Sequence, residues 1–375
     1  METRRQPPRE GGSRAMCLDR KKASAMGGWT QYKSTSSNNE GANQSGRRRR
    51  RDRLAELCKK IVQHLIRGEN GSGMVTEPYQ SLNSKPSPLQ LQRGSYAAAA
   101  TRKRALLIGV TYKSWKHRLK GTINDVRNMR SLLIHQFGFA AENILVLTEE
   151  EEAELRPTKL NIKRSLEWLV KGCRSGDSLV FYFSGHGVRR PDFDHDEQDG
   201  FDETICPADF MEAGLISDND INEAIVWPLK NGVTLHAIVD SCHSGTILDL
   251  AFLYNNDRRK WEDNHPPSGV RKHTDGGLAI CISACEDSEL AVDTSAFGKG
   301  MSGAMTYILV EVVKQFPSPT YGDLMELIHE ALAEVNNSGC FLSRAFRSML
   351  HNKILQKPLL SASRPFDVGT KHFIL

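Results

Sequence analysis

The sequence has no CxxC pair, and its eight cysteines show no spacing that reads as a disulfide framework. That argues against a zinc ribbon and for a reducing compartment. No apolar run approaches the roughly 20 residues that a membrane helix needs, so no membrane contact is expected. Met1–Lys22 is charged and lacks an apolar core, which argues against a secretory leader. No internal repeat is present. Acidic charge is scarce at one end only. Residues 1–100 hold 19 Lys and Arg against 8 Asp and Glu, a net of +11, and the remainder carries −6. The formal charge of +5 therefore belongs to an N-terminal arm. A nucleic-acid partner is not expected from it.

What is present falls into segments. At 375 residues the chain can form one large domain or two small ones. Residues 1–98 read as a basic, largely disordered arm rich in Gly, Ser, Asn, Gln and Arg. Within it, Arg53–Arg67 places Leu54, Leu57, Ile61 and Leu65 on one helical stripe. Arg47–Arg51 reads first as a solvated charge run. A nuclear-import signal and an anionic-surface or partner contact are its sharper readings. The expected location is cytoplasmic, with the nucleus left open.

From Arg102 strands and helices alternate. Strands are expected at Arg104–Val110, Asn143–Thr148, Ser178–Ser184 and Thr234–Val239, and helices at Thr122–Phe137, Thr158–Lys171 and Asp218–Trp227. That order implies an α/β fold with a mainly parallel central sheet and helices on both faces. Residues 253–277 are polar, carry Pro and Gly, and read as an exposed linker holding Arg258, Arg259, Lys260, Arg271 and Lys272. Beyond it come a strand at Leu278–Ala284, helices near Gly303–Gln315 and Tyr321–Glu334, and a strand near Lys357–Ser361. Cys281 and Cys285 share one face of their strand and are expected to be buried, inert thiols.

Two segments carry chemistry. SLVFYFSGHG, Ser178–Gly187, and TLHAIVDSCHSG, Thr234–Gly245, are hydrophobic strands that stop at small-residue turns. One turn holds His186 and the other Cys242. If both strands lie in one parallel sheet, thiol and imidazole meet at the sheet edge where open α/β folds place their sites. That pairing suits a cysteine nucleophile with a histidine base. The amides of Gly187 and Cys242 are candidate oxyanion donors. His243 faces the other way from Cys242 and is set aside.

FYFSGHG and VDSCHSG, with ALLIGV, LKGTINDVRNM and ISDNDINEAI, resemble the type I metacaspases, caspase-like cysteine peptidases of plants, fungi and protists. The resemblance runs from about Lys103 to the C-terminus. His186 and Cys242 are 56 residues apart, near the roughly 50 quoted for caspases. The local caspase signature around the cysteine is not matched, because DSCHS stands there. The resemblance implies a caspase-like sandwich, with His186 as general acid and base and Cys242 as nucleophile. It divides the chain into a prodomain at 1–98, a large-subunit part at 99–252, a linker at 253–277 and a small-subunit part at 278–375. The substrates it implies are proteins with Arg or Lys before the cleaved bond.

The residues supply a reason for that preference. Asp240, two before Cys242, projects to the same side. Asp125 follows the first strand's end, and Ser184 is two before His186. Two carboxylates there would favour a cation. Where the family often has Cys, this chain has Thr122. Asp192–Glu203, DFDHDEQDGFDE, places Asp192, Asp194, Asp196 and Glu203 at EF-hand positions, but Glu197 stands where Gly is required, so an EF-hand is rejected. The resemblance instead implies activating calcium on Asp202, Asp218 and Asp249, with Asn219 at a fourth position. Many type I relatives carry a zinc finger ahead of the peptidase domain. The arm here holds only Cys17 and Cys58, so no zinc is expected. The basic linker invites self-cleavage, and the family context is regulated proteolysis such as programmed cell death. A rival reading is a scaffold or signalling module, in which the peptidase fold is latent and the basic arm docks partners.

Overall fold

The computed structural model describes residues 52, 56–57, 81–83, 102–193, 197–198, 200–269, 272–284, 304–316, 318–337 and 358–375. Arg47–Arg51, Arg271, Cys285 and most of 1–98 lie outside the described residues. All described residues belong to one compact unit, Arg49–Leu375.

Five strands form a parallel core: β1 Lys103–Gly109, β2 Ile144–Thr148, β3 Ser178–Ser184, β7 Thr234–Asp240 and β10 Leu278–Ser283. The eight-stranded order is β2-β1-β3-β7-β10-β11-β8-β9, where β11 is Leu359–Ala362, β8 Phe252–Asn255 and β9 Lys260–Asp263. The last three are antiparallel to their neighbours. A second sheet, β4 Gly187–Pro191, β5 Phe201–Ile205 and β6 Ile216–Ser217, is antiparallel and stands off the end of β3.

Strand alternation sends side chains to two cores. Leu107, Val146, Tyr182, Ile238 and Ile280 pack under helices α1 Thr122–His135, α5 Ala304–Gln315 and α6 Tyr321–Asn337. Leu106, Leu147, Phe181, Val239 and Cys281 pack under α2 Lys159–Val170 and the segment that begins with α4 Asp218–Ile221. Burial on both faces is why these strands read as unbroken hydrophobic runs. Thr158 caps α2 by accepting the Asn161 N–H at 3.3 Å. The helix expected over Asp218–Trp227 is α4 followed by a π turn at Asn222–Val226.

Two expectations need correction. Residues 253–277 are not simply an exposed linker, because β8 and β9 form a hairpin that joins the sheet through β11. Arg258, Arg259 and Lys260 are exposed on it, but Lys272 is buried. The arm is also partly built into the fold. The Asn83 side-chain amide accepts Val146 N–H at 2.9 Å and donates to Val146 O at 3.0 Å, pairing with β2 as a strand would. Ser81, Leu82 and Asn83 all donate to the buried Glu151, and Leu57 lies in the core.

Candidate active site

The register of β3 on β7 builds the site. Ser184 pairs with Asp240, so His186 and Cys242 each stand two residues beyond a matched pair. The chain segments are in contact there. A Cβ added at Gly187 would lie 2.2 Å from the Cys242 carbonyl oxygen, so only glycine fits. Cys206 N–H donates to the His186 carbonyl at 3.0 Å. This makes Gly187–Ile205 the non-hydrogen-bonded pair of β4 and β5, and the Gly187 N–H points away from β5. Cys242 is partly exposed and in no disulfide, whereas Cys173, Cys206 and Cys281 are buried. Burial pushes the Cys206 and Cys281 thiols up to about 12, so both stay protonated and inert. His243 has φ +50°, a left-handed turn immediately after Cys242.

His186 is held on several sides. Its Nε2 lies 2.8 Å from the His117 carbonyl oxygen. A carbonyl only accepts, so Nε2 carries the hydrogen and Nδ1 keeps its lone pair for a proton. Burial lowers the imidazole pKa, and that carbonyl partly opposes the shift. The neutral base is thereby favoured. Tyr112 and Trp115 lie against the ring with centroids 4.7 and 5.5 Å away.

Beneath the pair lie the two carboxylates. Asp125 is 3% exposed and accepts from Ser184 Oγ at 3.2 Å. Asp240 is fully buried and accepts from the Thr306 N–H at 2.8 Å and its hydroxyl at 2.7 Å, at the start of α5. Burial first, and then the Asp240 charge, push the Asp125 carboxyl well above its usual range. A cation entering here would meet two buried acids. Thr122 is buried on α1 and its hydroxyl faces Thr111 Oγ1 at 3.3 Å, so no hydrogen bond links it to the two carboxylates.

The calcium candidates also converge, with an occupant. Asp218 is fully buried and accepts the Glu203 and Asn219 amides, each at 2.8 Å. Burial, with Asp249 and Asp202 nearby, raises it to about 8. Asp202 accepts from Arg190 Nε at 2.8 Å. Asn219 adjoins through its backbone. The fully buried Lys272 ammonium contacts Asp249 and lies 3.0 Å from Glu197. Among the described residues no three Asp, Glu, His or Cys side chains form a ready metal cage. The donor chemistry nonetheless fits a hard divalent cation: three crowded carboxyl groups with a cation already among them. Asp194 and Asp196 lie outside the described residues.

Sequence reasoning missed Tyr112, the His117 carbonyl, Glu197 and the inward course of Lys272. A signal for the first two existed. Both follow β1, whose C-terminal end opens on the same edge as His186 and Cys242.

A thiol beside a neutral imidazole, with a buried acidic pocket below, is the site of a cysteine peptidase on an α/β sheet. Comparison with known proteins narrows the class. Residues 103–251 match the model of the metacaspase peptidase C14 domain. Metacaspase-1 of Arabidopsis thaliana is 45% identical over 289 residues, 73% of this chain and 79% of that protein. Metacaspase-3 of the same plant is 44% identical over 73% of this chain and 76% of its own length. Metacaspase-1B of Aspergillus fumigatus is 34% identical over 78% and 76%. The chain belongs to the metacaspase family of cysteine peptidases.

Proposed function

We propose that this metacaspase is a calcium-stimulated endopeptidase that cleaves proteins after Arg or Lys through Cys242 and His186. The observation that supports this reading is the Ser184–Asp240 register, from which His186 and Cys242 each follow by two residues, while Ser184 bonds the second carboxylate, Asp125. In the proposed cycle Nδ1 of His186 takes the thiol proton while Nε2–H stays on the His117 carbonyl. The thiolate attacks the scissile carbonyl, and the oxyanion meets the Gly187 and Cys242 amides. His186 then protonates the leaving amine, and afterwards draws a proton from the water that hydrolyses the thioester. Asp125, Asp240 and Ser184 would hold the substrate cation, with the buried Thr122 one turn before Asp125 on α1.

Calcium would be held by Asp202, Asp218 and Asp249 with Asn219, and would supply positive charge that stiffens the β5–α4 region. Lys272 must first leave Asp249. Its withdrawal would free the strand-flanked linker, where self-processing after basic residues is the further expectation. The physiological setting is regulated proteolysis such as cell death. Cys173, Cys206, Cys242 and Cys281 in thiol form suit a reducing, cytoplasmic compartment.

The test is turnover of an Arg-ending peptide by Cys242→Ala and His186→Ala, each shown to be folded. Both should lose at least about a thousandfold in kcat, as members of one reacting unit do. Activity kept by either would remove the dyad.

A further inference from the structure

The loop between β1 and α1 packs Tyr112 and Leu119 into the core and has a hydrogen-bonded structure of its own. The Glu149 carboxylate gathers three successive amides. Its Oε2 accepts from Thr111, and from Tyr112 at 3.1 Å, while Oε1 accepts from Lys113 at 3.1 Å. Convergent N–H groups of this kind form a nest for an anion. At its centre Tyr112 has φ +56°, left-handed backbone that a bulky residue adopts only when its surroundings impose it. Strain of that sort clusters at functional sites.

That backbone turns the tyrosine inward, to 2% exposure. Its hydroxyl accepts the His186 N–H at 2.9 Å and donates to the Cys206 carbonyl at 2.6 Å. Its ring lies 4.7 Å from the imidazole. The same loop closes on itself, Trp115 N–H donating to Tyr112 O and Leu119 N–H to Thr111 O, each at 2.9 Å. Between those closures sits His117, whose carbonyl meets His186 Nε2 at 2.8 Å. One residue thus fixes the backbone of His186, and the loop it begins fixes the imidazole's far nitrogen.

We propose that Tyr112 is a positioning residue for the Cys242–His186 reaction, with Glu149 holding it in place. The hydroxyl both accepts and donates, so phenylalanine cannot replace it, although the ring packing would survive. The proposal rests on His186 and Cys242 acting as the reacting pair.

Tyr112→Phe tests it. The measurements are the melting temperature, kcat and KM on an Arg-ending peptide, and the rate of Cys242 alkylation by iodoacetamide. Leaving the His186 N–H and Cys206 carbonyl without their partner should cost roughly ten- to a hundredfold in kcat. KM should stay within about twofold, because the cation pocket is untouched. Alkylation should slow alongside kcat, since it reads how well His186 takes the thiol proton. A variant with lower melting temperature but wild-type kcat and alkylation overturns the proposal and leaves Tyr112 a packing residue. If Tyr112→Phe fails to fold, Glu149→Gln must show the same split of kcat from KM, and unchanged kcat there overturns the proposal equally. Turnover by Cys242→Ala would overturn the dyad first. An inactive Cys242→Ala beside a normal Tyr112→Phe overturns this inference alone.

Discussion

At the scale of single residues, the site depends on acids kept out of water. Asp125 is the clearest case. Burial and Asp240 push its carboxyl well above the usual range, and an arriving guanidinium would favour the ionised form. Asp125→Asn should therefore lower kcat/KM for Arg peptides by roughly ten- to a hundredfold, the worth of one charge-assisted hydrogen bond. Peptide kinetics beside a thermal melt check this, and unchanged kinetics in a folded variant would count against the pocket. His236 offers a second test, away from the site. It is buried between β7 and α6, 2.8 Å from the Tyr321 hydroxyl. Burial, with Lys371 and Lys103 nearby, lowers it to about 3. The unfolded chain, with its histidine near 6.5, then binds the extra proton first. Stability from this group is present above about 6.5 and is lost as pH falls toward about 3. In denaturant melts, His236→Gln should flatten that acid limb; an identical slope would show that His236 does not titrate as described.

At the scale of elements, what the sequence displayed depended on burial. β3 and β7 are covered on both faces, so SLVFYFS and TLHAIVD announce themselves as hydrophobic runs, and their glycine-bounded ends announce His186 and Cys242. The hairpin did not announce itself. β8 and β9, FLYN and KWED, are only four residues each, and β9, at the sheet edge, is charged, which protects against stray pairing and hides the strand signal. Lys272 was hidden for another reason: a lysine in a Pro- and Gly-rich stretch reads as solvated until its carboxylate partners are placed. Asn83 and Glu151 are equally silent, since a side-chain amide that finishes an edge strand has no periodicity. The placement of Lys272 carries its own prediction. Lys272→Met keeps the buried stem and removes the competing cation. In the inactive Cys242→Ala background it should tighten calcium binding by roughly tenfold, measured by titration calorimetry. Weaker binding would mean that the ammonium organises the acids instead of competing for them.

At the scale of the whole molecule, strand order decides what cleavage in the linker can do. β10 pairs with β7, and β11 lies between β10 and β8. The pieces on either side of residues 264–277 thus interleave within one sheet. A chain cut there should remain a single particle in gel filtration and separate only in denaturant. Separation under native conditions would contradict the interleaved sheet. The same order would keep the site whole after such a cut. Asp125, Ser184, His186, Asp240 and Cys242 all precede the linker, while Thr306 reaches back across it to hold Asp240. The central claim is that this edge cuts after a cation, with calcium as its trigger. Its most direct test is hydrolysis of matched fluorogenic peptides ending in Arg, Lys or Asp, with and without calcium, beside Cys242→Ala. The account predicts cleavage after Arg and Lys only, raised by calcium and absent in the mutant. Cleavage after Asp, or cleavage after Arg that survives loss of the Cys242 sulfur, would contradict it.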